Sequence, residues 1–109
     1  MSATSQAVMQ AFSVYRLGAI NCIINKNDPY NAITFYRNMM AMLPMANRPT
    51  DIEIKDQCGE EPKMRDDFTE DPDETKYQSE VMHYFRRYSF LIESKIGQYM
   101  ANEIANRRV

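Results

Sequence analysis

The feature that most constrains the fold is a long apolar stripe in the C-terminal third of the chain. Tyr77, Val81, Tyr84, Phe85, Tyr88, Leu91, Ile92, Ile96, Tyr99, Met100 and Ile104 recur at three- and four-residue spacing. That period is helical; the apolar face of a strand would repeat every second residue. The spacing predicts one helix from about Asp73 to Asn106. Asp71, Asp73 and Glu74 sit at its start, and Arg107 and Arg108 at its end. Both placements complement the helix dipole. Only Gly97 opposes continuity, at a cost of about 1 kcal/mol.

Two further helices precede it. Val8, Ala11, Phe12, Tyr15, Ala19, Cys22 and Ile23 form one apolar face over about Ser5 to Asn25. Met9, Leu17, Ile20 and Ile24 form a second stripe on the same segment. A helix apolar on more than one side is sandwiched between neighbours or joins an oligomer. Asn27-Asp28-Pro29 then breaks and restarts the pattern. Asp28 is suited to accept from the free N–H groups of the next helix, and Pro29 to the first helical position, which needs no donor. The second helix runs from about Pro29 to Leu43 on Ala32, Ile33, Phe35, Tyr36, Met39, Met40 and Leu43, and Pro44 ends it. So short a link predicts a helical hairpin.

The expected fold is therefore all-α: a helical hairpin plus one long C-terminal helix, in a single domain spanning 1–109. Between the second and third helices, residues 43–72 form an acidic insert punctuated by Pro44, Pro49, Pro62 and Pro72 and irregular in pattern. Within it, Asp51-Ile52-Glu53-Ile54-Lys55 reads either as a short strand or as a helical turn capped by Thr50. With 44% hydrophobic residues the chain has enough apolar mass for a core. Residues 7–24 are fairly apolar, but no basic segment precedes them, and Gln10, Arg16 and Asn21 interrupt them. A signal peptide or membrane span tolerates such residues poorly, so the expectation is a cytoplasmic protein with no membrane partner.

Helix lengths predict an interface. At 1.5 Å per residue the third helix is about 50 Å long and the first about 30 Å. Part of the long stripe then lacks a partner within the chain, and an exposed aromatic stripe marks an interface. The expected solution is a homodimer seam of Tyr84, Tyr88, Leu91, Ile92 and Tyr99.

Charge is segregated along the chain. Residues 1–50 carry +3, residues 51–75 carry −8 and residues 76–109 carry +3, so the total of −2 conceals an acidic segment between basic helices. Two readings follow. The insert folds onto the basic helices as an internal clasp, or it docks a basic partner surface through Glu60, Glu61, Asp66, Asp67, Glu70, Asp71, Asp73 and Glu74. Met64 and Phe68, interleaved with these acids, would anchor such a docking arm.

Catalytic constellations are missing from the sequence. There is no glycine-rich phosphate loop, no EF-hand spacing and no nucleophile elbow. Cys22 and Cys58 lack metal-site spacing and read as a core thiol and a loop thiol. His83, the only histidine, flanks the long stripe and reads as a boundary residue. The expectation is no enzyme, no cofactor and no metal. Arg86 and Arg87, in Tyr84-Phe85-Arg86-Arg87-Tyr88, offer a nucleic-acid or nucleotide surface together with the tyrosines. Nine methionines, seven tyrosines and eight asparagines without tryptophan give the texture of a small virus or mobile-element accessory protein.

The leading functional expectation is a non-enzymatic regulator, an inhibitor that occupies a surface of a larger protein complex. Its partner-binding residues would be Glu60, Glu61, Asp66, Asp67, Phe68, Glu70, Asp71, Arg86 and Arg87. Met39, Met40, Met42 and Met45 would add an adaptable surface. The alternatives are a nucleic-acid-binding protein and a structural or assembly adaptor.

Overall fold

In the computed structural model, which describes residues 3–63 and 74–107, the chain is all-helical. Its elements are α1 (Ala3–Ile24), α2 (Pro29–Met42), a 3-10 turn η1 (Met45–Asn47), α3 (Asp51–Cys58) and α4 (Glu74–Arg107). The body is elongated, 58 × 29 × 17 Å, in keeping with the roughly 50 Å that α4 alone spans.

Local chemistry sets each boundary. Asn27 takes the left-handed conformation (φ 49°), and the next amide, Asp28 N–H, reaches back to the Cys22 carbonyl at 2.9 Å. Asparagine tolerates that conformation at a helix end. The Asp28 carboxylate then accepts from Asn31 N–H at 3.1 Å, and Pro29 occupies the first helical position. Pro44 stops α2. Arg48 folds back over its end, donating to the carbonyls of Leu43 at 2.8 Å and Ala41 at 2.7 Å. Those carbonyls have no partner within the helix, so a cation there satisfies them.

The ambiguous segment after Thr50 is a helix. Thr50 Oγ1 accepts from Glu53 N–H at 3.1 Å, and Gly59 (φ 81°) ends the helix with its N–H on the Lys55 carbonyl. The strand reading fails because the cap commits the backbone before Ile52 and Ile54 alternate. Cys58 is the last residue of this helix and is buried, where the sequence pattern had placed it in a loop.

Helix α2 lies at the centre. It packs closely against both α1 and α4, while α3 and η1 pack against α4. Ala32, Ile33, Tyr36 and Met39 of α2 meet Phe12, Ala19 and Cys22 of α1 and Val81, Tyr84, Tyr88, Leu91, Ile92 and Ile96 of α4 in one continuous core. Helices α1 and α4 approach each other only through side chains. Arg16 Nε donates to both carboxylate oxygens of Glu93, at 2.7 and 2.9 Å. That hydrogen bond, with the carboxylate's charge, holds the Arg16 cation more firmly than usual. Burial pushes the nearby Tyr36 phenol up, and the Glu93 charge adds to the rise.

The two glycines within helices are not equivalent. A Cβ at Gly18 would lie 2.6 Å from Cε1 of the Phe35 ring, so this glycine permits the close approach of α1 to α2. A Cβ at Gly97 would meet nothing within 4 Å. Gly97→Ala should therefore raise stability by about 1 kcal/mol, the helix-propensity gain alone. Gly18→Ala should lower stability, and in a Phe35→Ala background it should raise it, because the obstructing ring is gone. Urea unfolding of the single and double variants reads both signs.

Candidate protein-binding surfaces

The acidic insert begins as a clasp. Glu53 pairs with Lys95 of α4 at 3.1 Å, Glu60 with Lys55 at 3.0 Å, and Glu61 with Arg37 of α2. The Tyr77 hydroxyl donates to the Lys63 carbonyl at 2.9 Å, tying the insert to the start of α4. Each such ion pair, partly or largely open to water, contributes about 0.2–1 kcal/mol. Together they set the course of the chain over α2 and α4 more than they stabilise it. Met64, Asp66, Asp67, Phe68, Glu70, Asp71 and Asp73, which carry the rest of the docking-arm expectation, lie outside the described residues.

Where the insert leaves α3 it borders a cleft of about 490 Å³ against α4. Glu60, Glu61, Tyr84 and Arg87 line it, and so do Cys58 and His83. Tertiary packing thus gathers residues that their sequence positions had no reason to join. Burial pushes the Cys58 thiol up, against a smaller opposing pull from the Arg87 charge. A protonated thiol is a poor nucleophile at neutral pH. Among the described residues no three His, Cys, Asp or Glu side chains are grouped to hold a metal ion.

The expected dimer seam needs correction. Tyr84, Tyr88, Leu91 and Ile92 are buried within the chain itself. The Tyr84 and Tyr88 rings stack at 5.8 Å with an interplanar angle of 16°. The Tyr88 hydroxyl donates to Met40 Sδ at 3.5 Å. The length comparison failed here because it counted α1 and α2 as the only cover for the long helix. Helix α3 supplies a further one. Of the five expected seam residues only Tyr99 keeps partial exposure. The same burial removes Tyr84 and Tyr88 as stacking platforms beside Arg86 and Arg87.

Two surfaces do face outward. On α4, Arg86 and Arg87 are exposed. Phe90, one turn beyond Arg86 on the same face, is 74% exposed. Ile104 continues this side of the helix, half exposed. Phe90 escaped the sequence analysis because it lies out of phase with the buried stripe at Tyr88, Leu91 and Ile92. That same phase error is the signal that would have found it. On α1, the outer side carries Val14, Leu17, Ile20 and Ile24, all exposed. Gln6–Ile24 is long and apolar enough to cross a membrane by length and composition, yet its inner side, with Phe12, Ala19 and Cys22, is core. Among the methionines, Met39 is core, Met40 and Met42 are half-buried, and Met45 is exposed.

No family model, curated protein or solved structure matches the chain.

The buried phenols make stability sensitive to alkali. Burial, with the neighbouring Cys58 and Tyr88 charges adding, pushes Tyr84 up to about 12, while Arg37 opposes. Burial raises Tyr88 as well. An unfolded tyrosine titrates near 10. Between about pH 10 and 12 the native state therefore holds protons that the unfolded state has lost, and stability falls as the pH rises. Below that window the contribution is complete. Circular dichroism with tyrosinate absorbance should show helix loss accompanying ionisation above about pH 10, and Tyr84→Phe should flatten the decline.

Proposed function

We propose that the protein is a small non-enzymatic binding protein that acts by occupying the surface of a larger protein complex, with the outer face of α4 as its contact. The observation that carries this reading is Phe90, an aromatic ring 74% exposed and set among Arg86, Arg87 and His83 on one side of a helix otherwise committed to the core. Leaving a phenylalanine in water forfeits about 1.5–3 kcal/mol of burial. An aromatic flanked by arginines is also the composition of interface hot spots. The matching surface would present an apolar pocket for Phe90 with carboxylates at its rim to receive the two guanidinium groups.

A nucleic-acid partner draws on the same residues, since an exposed ring beside arginine also stacks on bases. The protein reading is favoured by what shares the face. Ile104 is aliphatic and offers nothing to a base or phosphate, and two arginines on a chain of net charge −2 make few backbone contacts.

A photo-crosslinking residue placed at position 90 in the cell of origin tests this. The expected result is a discrete protein adduct whose yield drops about tenfold or more with Arg86→Ala plus Arg87→Ala, the loss that two hot-spot arginines imply. A nuclease-sensitive adduct, or none above that formed from the exposed control position Asp56, would overturn it.

A further inference from the structure

The second outward surface, on α1, carries a separate inference that does not depend on the α4 face. Val14, Leu17, Ile20 and Ile24 are exposed by 65, 67, 51 and 73%. Their three- and four-residue spacing aligns them along one line of the helix. The inner side of α1 is already buried against α2, so no helix among the described residues covers this line. We propose that it pairs, antiparallel and about a two-fold axis, with the same face of a second copy of this chain.

Charge selects that occupant. From Gln6 to Asn25 the only formally charged residue is Arg16, and it is engaged by Glu93 of α4. The outer face therefore carries no formal charge. A two-fold interface sets each residue against its own kind or a symmetry mate, so a face of one charge sign would repel its copy. This one does not. Its polar members, such as Gln10, carry both a donor and an acceptor and so complement themselves. A charged heterologous partner would find nothing here to steer it. A helix built for a membrane surface carries lysine and arginine along its polar side, and α1 has none there.

The four aliphatic side chains present roughly 400 Å² per copy, so pairing them would remove about 800 Å² of apolar surface, and the uncharged polar side chains that flank them bring the contact towards the roughly 1,000 Å² floor for a specific interface. The apolar run from Val14 to Ile24 spans about 15 Å. Antiparallel pairing centred on it sets Val14 of one copy near Ile24 of the other and Leu17 near Ile20. A dimer built this way carries two copies of the α4 face, so a partner with two sites would be held by both.

Sedimentation equilibrium of the full chain at micromolar concentration tests the pairing. The expected mass is twice 12.8 kDa. Leu17→Glu should return the mass to that of one chain with an unchanged circular dichroism spectrum, because Leu17 makes no part of the core. Mixing Val14→Cys and Ile24→Cys chains under mild oxidation should give the mixed disulfide in excess of either like pair. A monomeric wild-type chain overturns the proposal, as does a dimer indifferent to Leu17→Glu. Excess of like-pair disulfides overturns the antiparallel arrangement. A monomeric chain that floats with phosphatidylcholine–phosphatidylglycerol vesicles, and ceases to float with Leu17→Glu, assigns the face to lipid instead.

Discussion

Everything in this fold leans on α2. It has only 14 residues, yet it is the helix against which both α1 and α4 pack. Ala32, Ile33 and Met39 are wholly buried along it, with Tyr36 nearly so. Removing a buried isoleucine or methionine side chain from such a position costs about 2–5 kcal/mol. Here the loss would be felt on two interfaces at once. The close seating of α1 depends on Gly18, whose missing side chain makes room for Phe35. Tyr36 extends the junction, meeting the Phe85 ring edge-on at 5.7 Å and lying within the field of the Arg16–Glu93 pair. Three helices therefore converge on one aromatic and ionic contact, which sets how far α1 and α4 open from one another.

Charge plays a different part from the core. Glu93 and Lys95 stand two residues apart on α4 and reach opposite flanks, Glu93 to Arg16 of α1 and Lys95 to Glu53 of α3. These pairs are half-exposed, so their energy is small; their effect is to hold the flanking helices in register on α4. The same logic extends into the acidic insert through Glu60 and Glu61. Over its described residues the insert folds back on the protein's own cations, so the −8 segment is at least partly spent at home. Arg86 and Arg87, beside Phe90, are exposed and make no ion pair to a described residue, as is also true of Lys26, Lys63 and Lys76. What distinguishes the α4 pair is that Arg86 and Arg87 stand beside an exposed aromatic ring.

Much of the architecture was legible in the residues. The Asp28-Pro29 start, the Pro44 stop and the three- and four-residue apolar spacing along α4 each follow from local chemistry, and local chemistry survives folding. The expected boundaries of α1, α2 and α4 lie within two residues of those observed. The site was less legible. Periodicity reveals that Tyr84, Tyr88, Leu91 and Ile92 share a face, and it does not reveal what covers that face. A two-turn helix with few apolar residues, α3, was enough to change the answer. Phe90 and Val14 were overlooked for the converse reason: a residue outside the dominant stripe is assigned to solvent by default, whatever its chemistry.

The long stripe read first in the sequence does specify a helix, its direction and its buried side. Those properties are local, set by side-chain spacing, caps and the helix dipole. Whether the stripe met its own chain or another copy was settled by packing, because burial depends on elements distant in sequence. The middle of the stripe, from Val81 to Ile96, was covered within the chain, and the surfaces left over lie on the outer sides of α4 and α1. Tertiary structure alone identifies them, since exposure is what remains after every other contact has been made.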